Sequence, residues 1–173
     1  RKIKVGRPGR TDAGEILRVY LTADLPYASK DIPTGGTADG TPVSQIVDGL
    51  LENVFQRSSE NRVLAIRLRN GRREILYRRD LLSGAVLAGI VRRAKERAIE
   101  RAIQAGDQEP SGLSLEDLLI ATNEEFKESE IFPPDDSAEE WLKLLDYSPD
   151  QVVGVSSLQP GKDGEEHRTS QIV

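Results

Sequence analysis

Cysteine and methionine are absent from this sequence, and histidine occurs once, at His167. Without cysteine there is no disulfide framework, no thiolate metal site and no thiol nucleophile, and a reducing compartment fits that composition. The lone histidine stands in a polar tail, which closes most imidazole-based catalysis as well. Aromatic residues make up only 5%, so flat surfaces for stacking bases are scarce. No apolar run approaches the ~18 residues of a transmembrane helix, and no membrane partner is expected. An intact translation product begins with methionine whereas this chain begins with Arg1; it is expected to be a piece of a longer protein. No basic, apolar, small-residue leader precedes it, so nothing suggests export and a cytoplasmic location is expected.

Several catalytic signatures are missing too. The only Gly-Lys pair, Gly161-Lys162, is followed by Asp163, so there is no phosphate-cradling loop of the G-x-x-x-x-G-K-S/T type. G-x-S-x-G, H-E-x-x-H and calcium-loop patterns are also lacking. The acids Asp135-Asp136 and Glu139-Glu140 surround a helix start, where carboxylates oppose the positive end of the dipole, and that role accounts for them. No catalytic residue and no metal ligand is assigned.

What is present fits one domain, or one plus a small appendage: 173 residues with 37% apolar and 31% charged side chains, a soluble and helix-leaning composition. Charge is unevenly spread. Residues 1–60 are neutral, residues 61–103 carry a net +8, and residues 104–173 carry a net −13. A basic middle beside an acidic end points to nucleic acid, or to two segments that meet in one fold or across subunits. The basic residues are not interleaved with stacking aromatics, so no nucleic-acid partner is expected.

Along the chain, Lys2-Ile3-Lys4-Val5 alternates as a short strand, and Thr11 or Asp12 is placed to cap a helix reaching about Leu21. Residues 28–40 read as a loop. Thr41-Pro42 opens a helix over roughly 42–57, with proline where its missing N–H costs nothing. Two apolar runs flank Asn70-Gly71, the signature of a type I′ hairpin, and give a ribbon over 62–79 with arginines on its wet face. Ser83 caps a long helix over about 84–105 whose stripe runs through Val86, Leu87, Ile90, Val91, Ala94, Ala98 and Ile99, and Gly106 stops it. Ser114 with Asp117 starts another helix. Ser137 and Glu140 form a capping box before Trp141, and Val152 to Leu158 reads as a last strand. From Gln159 onward the polar composition predicts a disordered tail ending in an apolar tip, Ile172-Val173.

Several segments also carry a resemblance. Arg1 to Pro8 followed by Gly14-Glu15-Ile16-Leu17-Arg18-Val19-Tyr20-Leu21 is similar to the junction in AAA ATPases where the last large-subdomain strand enters the C-terminal lid. Leu82-Ser83-Gly84-Ala85 resembles the lid's nucleotide-facing turn. The inserted ribbon, Arg79 to Ala85 with Val91-Arg92-Arg93-Ala94-Lys95, and Leu21-Thr22 with Asp24-Leu25-Pro26 narrow the likeness to the proteasome-associated ATPases of actinobacteria, the ARC family.

That resemblance implies a mainly α fold with a β-hairpin, an AAA+ lid carrying an inserted ribbon: residues 1–10 end the large subdomain, 11–158 form the lid, and 159–173 form a flexible tail. It implies a hexameric bacterial unfoldase that feeds protein-tagged substrates to a 20S proteasome, with ATP and magnesium as cofactors and the magnesium ligands elsewhere in the parent protein. Ile16 and Tyr20 would wall the adenine and ribose, and Gly84 and Ala85 would approach the nucleotide. Gln171-Ile172-Val173 would dock on the proteasome, although such tails typically end in Gln-Tyr-Leu and the penultimate tyrosine is missing here. The chain by itself is expected to hydrolyse no ATP. From the residues alone, a stand-alone helical adaptor without ATPase activity is the competing expectation.

Overall fold

The computed structural model describes residues 6–28, 41–106, 112–128, 142, 145, 147–158 and 166–171. The strand expected at 2–5, the loop over 29–40 and the capping box at Ser137 lie outside the described residues. The chain divides into two compact units: the first takes residues 1–55 and 82–128, the second 56–81 and 129–173. The fold is mainly α with a β-hairpin.

Among the described residues of the first unit there are four helices: α1 (Arg10–Tyr20), α2 (Pro42–Phe55), α4 (Gly84–Ala105) and α5 (Leu115–Glu128). Helix α1 starts at Arg10 with Gly9 as its cap, two residues before Thr11 and three before Asp12, the caps the sequence suggested; the Asp12 carboxylate accepts the Gly9 N–H at 3.1 Å instead of capping the helix itself. Helix α2 opens at Thr41 as the sequence indicates, with Thr41 Oγ1 accepting the Ser44 N–H. Ser83 Oγ likewise accepts from the Val86 N–H at the start of α4, and Gly106 ends that helix at φ 59°, a conformation glycine adopts without steric cost.

The apolar faces of these helices close on one core. Leu17, Ile46, Leu50, Leu87, Ile90 and Leu118 are at most 1% exposed, and burial of such a side chain contributes about 1.5–3 kcal/mol. Ile99 departs from the expected stripe. The buried positions Leu87, Ile90, Val91, Ala94 and Ala98 follow the 3.6-residue period, whereas Ile99 lies a further ~100° around the helix and is 60% exposed. Helices α4 and α5 are joined by ion pairs at Arg93–Glu125, Arg97–Glu124 and Arg101–Asp117, at 2.8, 3.0 and 2.7 Å. Part of the basic middle of the chain thus meets its acidic end within one fold.

The second unit is built on a four-stranded antiparallel sheet in the order β2-β1-β3-β4, from β1 (Arg62–Leu68), β2 (Arg73–Tyr77), β3 (Val152–Leu158) and β4 (Glu166–Gln171). The expected ribbon is therefore half of a sheet. Strand β1 is central, and its consecutive Leu64, Ala65 and Ile66 are buried, as both faces of an interior strand are covered. The hairpin turn also differs from type I′. Leu68 N–H donates to Arg72 C=O and Gly71 N–H to Leu68 C=O, with Gly71 at φ 83°, so the loop has three residues with its glycine in the left-handed position. The Asn70 side chain accepts the Arg72 N–H, which favours this longer loop.

A short helix, α3 (Arg78–Leu81), follows β2, with the Asp80 carboxylate accepting the Tyr77 N–H. Arg78 leaves the wet face expected for the ribbon's arginines and is only 5% exposed. Burial pulls its pKa down, and Glu60 favours the charge. Strand β4 corrects the tail: the sequence predicts disorder from Gln159, but Glu166–Gln171 pair with β3, Gln171 standing opposite Gly154. The physical reason is that an edge strand needs one partner ladder and little apolar patterning, so composition alone does not reveal it.

Candidate functional site

The four residues expected at a nucleotide all lie in the first unit, on the pair α1 and α4. Two hydrogen bonds tie these helices, from Arg7 Nη1 to the Leu82 carbonyl at 3.4 Å and from Lys95 Nζ to the Tyr20 carbonyl at 2.9 Å. Start is joined to start and end to a later turn, so the helices run in the same direction. Ile16 and Tyr20 are one turn apart on α1. Ile16 is half-buried against the core, while Tyr20 is 40% exposed.

Gly84 and Ala85 form the first turn of α4. Leu87 N–H bonds the Ser83 carbonyl and Val86 N–H bonds the Ser83 hydroxyl; the Gly84 and Ala85 N–H groups precede the first intrahelical bond. No acidic residue sits in this turn, so its positive dipole end is uncompensated, an arrangement suited to an anion. A Cβ built at Gly84 would meet nothing within 4 Å, which leaves room for close approach. None of the four side chains is a carboxylate. Among the described residues no three metal-ligating side chains cluster, and magnesium is not assigned here.

Beside this pair lies an apolar groove that the sequence did not reveal. Leu25, Pro26, Ala98, Ile99, Ala102 and Leu113 line it, with the Lys95 stem, around a cavity of about 220 Å³. Ile103, one turn beyond Ile99, is 76% exposed. The available signal was the excess of apolar residues on α4 over what one buried face accommodates.

The groove wall is fixed by a contact no motif announces. Leu113 N–H donates to Pro26 C=O and Ala28 N–H to Leu113 C=O, a parallel bridge between Tyr27 and Leu113. Gly112, at φ 155°, makes this approach possible, since a Cβ there would stand 2.6 Å from the Tyr27 carbonyl carbon. The Arg101 guanidinium completes the corner by donating to Gly112 C=O and Asp117 Oδ2, both at 2.7 Å. Burial raises the Asp117 pKa, but the Arg101 and Ser114 hydrogen bonds outweigh it and hold the carboxyl below its ordinary value.

A family model described as ARC, AAA+ ATPase lid domain matches residues 8–173. The chain belongs to that family. Three relatives, each named proteasome-associated ATPase, agree with this ARC lid assignment. The Streptosporangium roseum protein is 33% identical over 165 residues, 95% of this chain and 28% of the relative. The Acidimicrobium ferrooxidans protein is 35% identical over the same shares, and that of Mycobacteroides abscessus is 30% identical over 96% of this chain and 27% of the relative. The ARC lid thus spans little more than a quarter of the length of these relatives. Gln171, expected to dock, lies in β4; Ile172 and Val173 lie outside the described residues. No described helix is long and apolar enough to cross a membrane.

Proposed function

We propose that this ARC lid is the C-terminal part of a ring-forming ATPase that unfolds tagged proteins for a 20S proteasome in a bacterial cytoplasm. The observation that carries the reading is the α1–α4 pair, which joins a half-buried apolar residue, Ile16, to a helix start with open N–H groups at Gly84-Ala85. Ile16 and Tyr20 offer a wall for adenine and ribose. The first turn of α4 offers donors to ribose or phosphate oxygen. ATP with magnesium supplies the free energy when bound, and the rest of the longer protein supplies the magnesium ligands and the hydrolytic groups.

In this role the lid converts nucleotide state into movement. Helices α1 and α4 belong to one unit with one core, so a displacement at Gly84 is passed to the whole unit as a rigid body. The groove at Leu25-Pro26 and Ile99 is the neighbour-subunit contact of a hexamer, and Gln171-Ile172-Val173 is the proteasome-docking end. Its carboxylate and apolar last residues suit a pocket with a lysine, without the ring and hydroxyl of a penultimate tyrosine.

The test is Gly84→Val in the full-length protein. Since a Cβ at Gly84 meets nothing within 4 Å, the variant should fold, while its branched side chain fills the space needed for close approach. Nucleotide affinity measured by fluorescent-analogue titration should fall about tenfold or more, on the order of 1.4 kcal/mol. An unchanged affinity with an unchanged melting temperature would refute the assignment.

A further inference from the structure

Helix α1 ends without the usual glycine. Thr22 stands where a glycine commonly closes a helix, and Leu21 leaves the helical conformation at φ −102° and ψ 80° while its side chain stays buried. The peptide that joins Tyr20 to Leu21 therefore bridges a helical and a non-helical residue. Its N–H donates to the Leu17 carbonyl within α1 at 2.8 Å. Its carbonyl is one of those that a helix leaves without an intrahelical donor, and here the donor comes from another helix: Lys95 Nζ on α4, at 2.9 Å.

Lys95 also reaches the loop that follows α1. The Asp24 carboxyl is held below its ordinary value first by the Thr22 hydroxyl, then by its own backbone N–H, and more weakly by the Lys95 ammonium. The loop is closed on itself at the Thr22 carbonyl, which accepts the Leu25 N–H at 3.2 Å and the Tyr27 hydroxyl at 2.8 Å. Tyr20 is 40% exposed, so packing holds its ring only in part, and a helix end with few contacts opens at low cost. Lys95 lies eleven residues beyond Gly84, about 16 Å along α4. The Tyr20 end of the helix pair is thus fastened separately from the Gly84 end.

We propose that Lys95 is a positioning residue for the nucleotide wall: by holding the Tyr20 carbonyl from α4, it fixes the root of the Tyr20 side chain where a ribose meets it. The proposal rests on the reading of Tyr20 as that wall. A ring that is already ordered loses little further freedom when the ribose packs on it, so the nucleotide binds more tightly for the same contacts. Lys95 itself touches no part of the nucleotide. Its effect passes through Tyr20.

The experiment titrates the full-length protein with ATPγS by calorimetry. Lys95→Met keeps the methylene stem that lines the groove and removes the ammonium. The Tyr20 carbonyl is exposed and takes water instead, so the melting temperature should hold within about 2 °C. Affinity for ATPγS should fall about three- to tenfold, and Lys95→Arg should regain it by donating to the same carbonyl. In a Tyr20→Ala background, Lys95→Met should cost less than about twofold more, whereas its cost should multiply with that of Gly84→Val, because sites more than ~10 Å apart act independently. Equal losses from Lys95→Met with and without the Tyr20 ring overturn the proposal, as does an arginine variant no tighter than the methionine variant. Costs that fail to multiply with Gly84→Val overturn it too, since Lys95 then acts on the whole helix pair. Unchanged affinity in Lys95→Met beside a loss in Tyr20→Ala overturns the proposal and leaves the nucleotide reading standing. A Tyr20→Ala variant that binds as the wild type does overturns the proposal and the ribose wall together. A wild type that binds no ATPγS overturns the proposal and the whole nucleotide reading.

Discussion

Replacing Asp117 by alanine should destabilise the first unit by about 3 kcal/mol at pH 7. The carboxylate oxygen Oδ2 accepts from Arg101 Nη2 at 2.7 Å, from the Ser114 N–H at 2.9 Å and from the Ser114 hydroxyl at 2.7 Å. Loss of the reciprocal cap at the start of α5 costs about 1 kcal/mol. Ser114 is 1% exposed, so its N–H is left buried without an acceptor, at about 1–3 kcal/mol. The Arg101 side chain is 33% exposed and keeps the Gly112 carbonyl, which holds the ion-pair loss to about 1 kcal/mol or less. For a unit of about a hundred residues the melting temperature should drop by roughly 10–20 °C, followed by far-UV circular dichroism of the whole chain. The pH dependence follows from the lowered carboxyl pKa. Its stabilisation is complete above the unfolded value of 3.8 and is lost as pH falls through the lower folded value, so the gap between wild type and variant should narrow as pH falls below 3.8. A gap under 1 kcal/mol at pH 7, or one that persists unchanged at pH 2, would sink this account of the corner.

Three further outcomes are expected. Gly112→Ala should cost about 2–4 kcal/mol in urea unfolding, because the new Cβ meets Tyr27 and Ala28 backbone at 2.6–2.9 Å and backbone yields less readily than a side chain. Tyr147→Phe should cost about 1 kcal/mol through loss of the hydrogen bond to Glu74; burial and that carboxylate raise the phenol's pKa, so the difference is full below the ordinary value of 10 and is lost as pH rises from there to the raised one. Deleting Gln171-Ile172-Val173 from the full-length protein should weaken co-purification with a 20S proteasome while ATPase turnover continues, and Ile172→Tyr should strengthen it; no change in either variant would make the terminus a passive end.

Local signals were the most legible part of the fold. Thr41-Pro42, Ser83 and Ser114 with Asp117 each mark a helix start within a residue, because a cap is a short-range hydrogen bond between neighbours in sequence. Val152–Leu158 read as a strand for the same reason, its patterning being internal to the segment. The three-residue turn escaped because Asn70-Gly71 suits two loop lengths and the Asn70 side chain decides between them. Strand β4 and the pairing of β1 with β3 escaped because strand order is fixed by partners distant in sequence, which no periodicity encodes. In the candidate site, Gly84 and Ala85 were legible as a small-residue helix start. The Gly112–Tyr27 approach was not, since a glycine among Pro110, Ser111 and Leu113 reads as an ordinary loop residue until its backbone neighbour is known.

The order of the strands has a consequence for how the chain is made. Strand β1 is flanked by β2, its near neighbour in sequence, and by β3, which starts 75 residues after β2 ends at Tyr77. At synthesis rates of ~5–20 residues per second, the hairpin waits about 4–15 s with the other edge of β1 bare. Such an edge invites pairing with any neighbouring nascent chain. Arg62 and Arg67 bracket its apolar run, Val63 to Ile66, as charged gatekeepers that disfavour stacking on a second copy. Positive charge on the ribbon therefore protects the half-made protein before its sheet is complete.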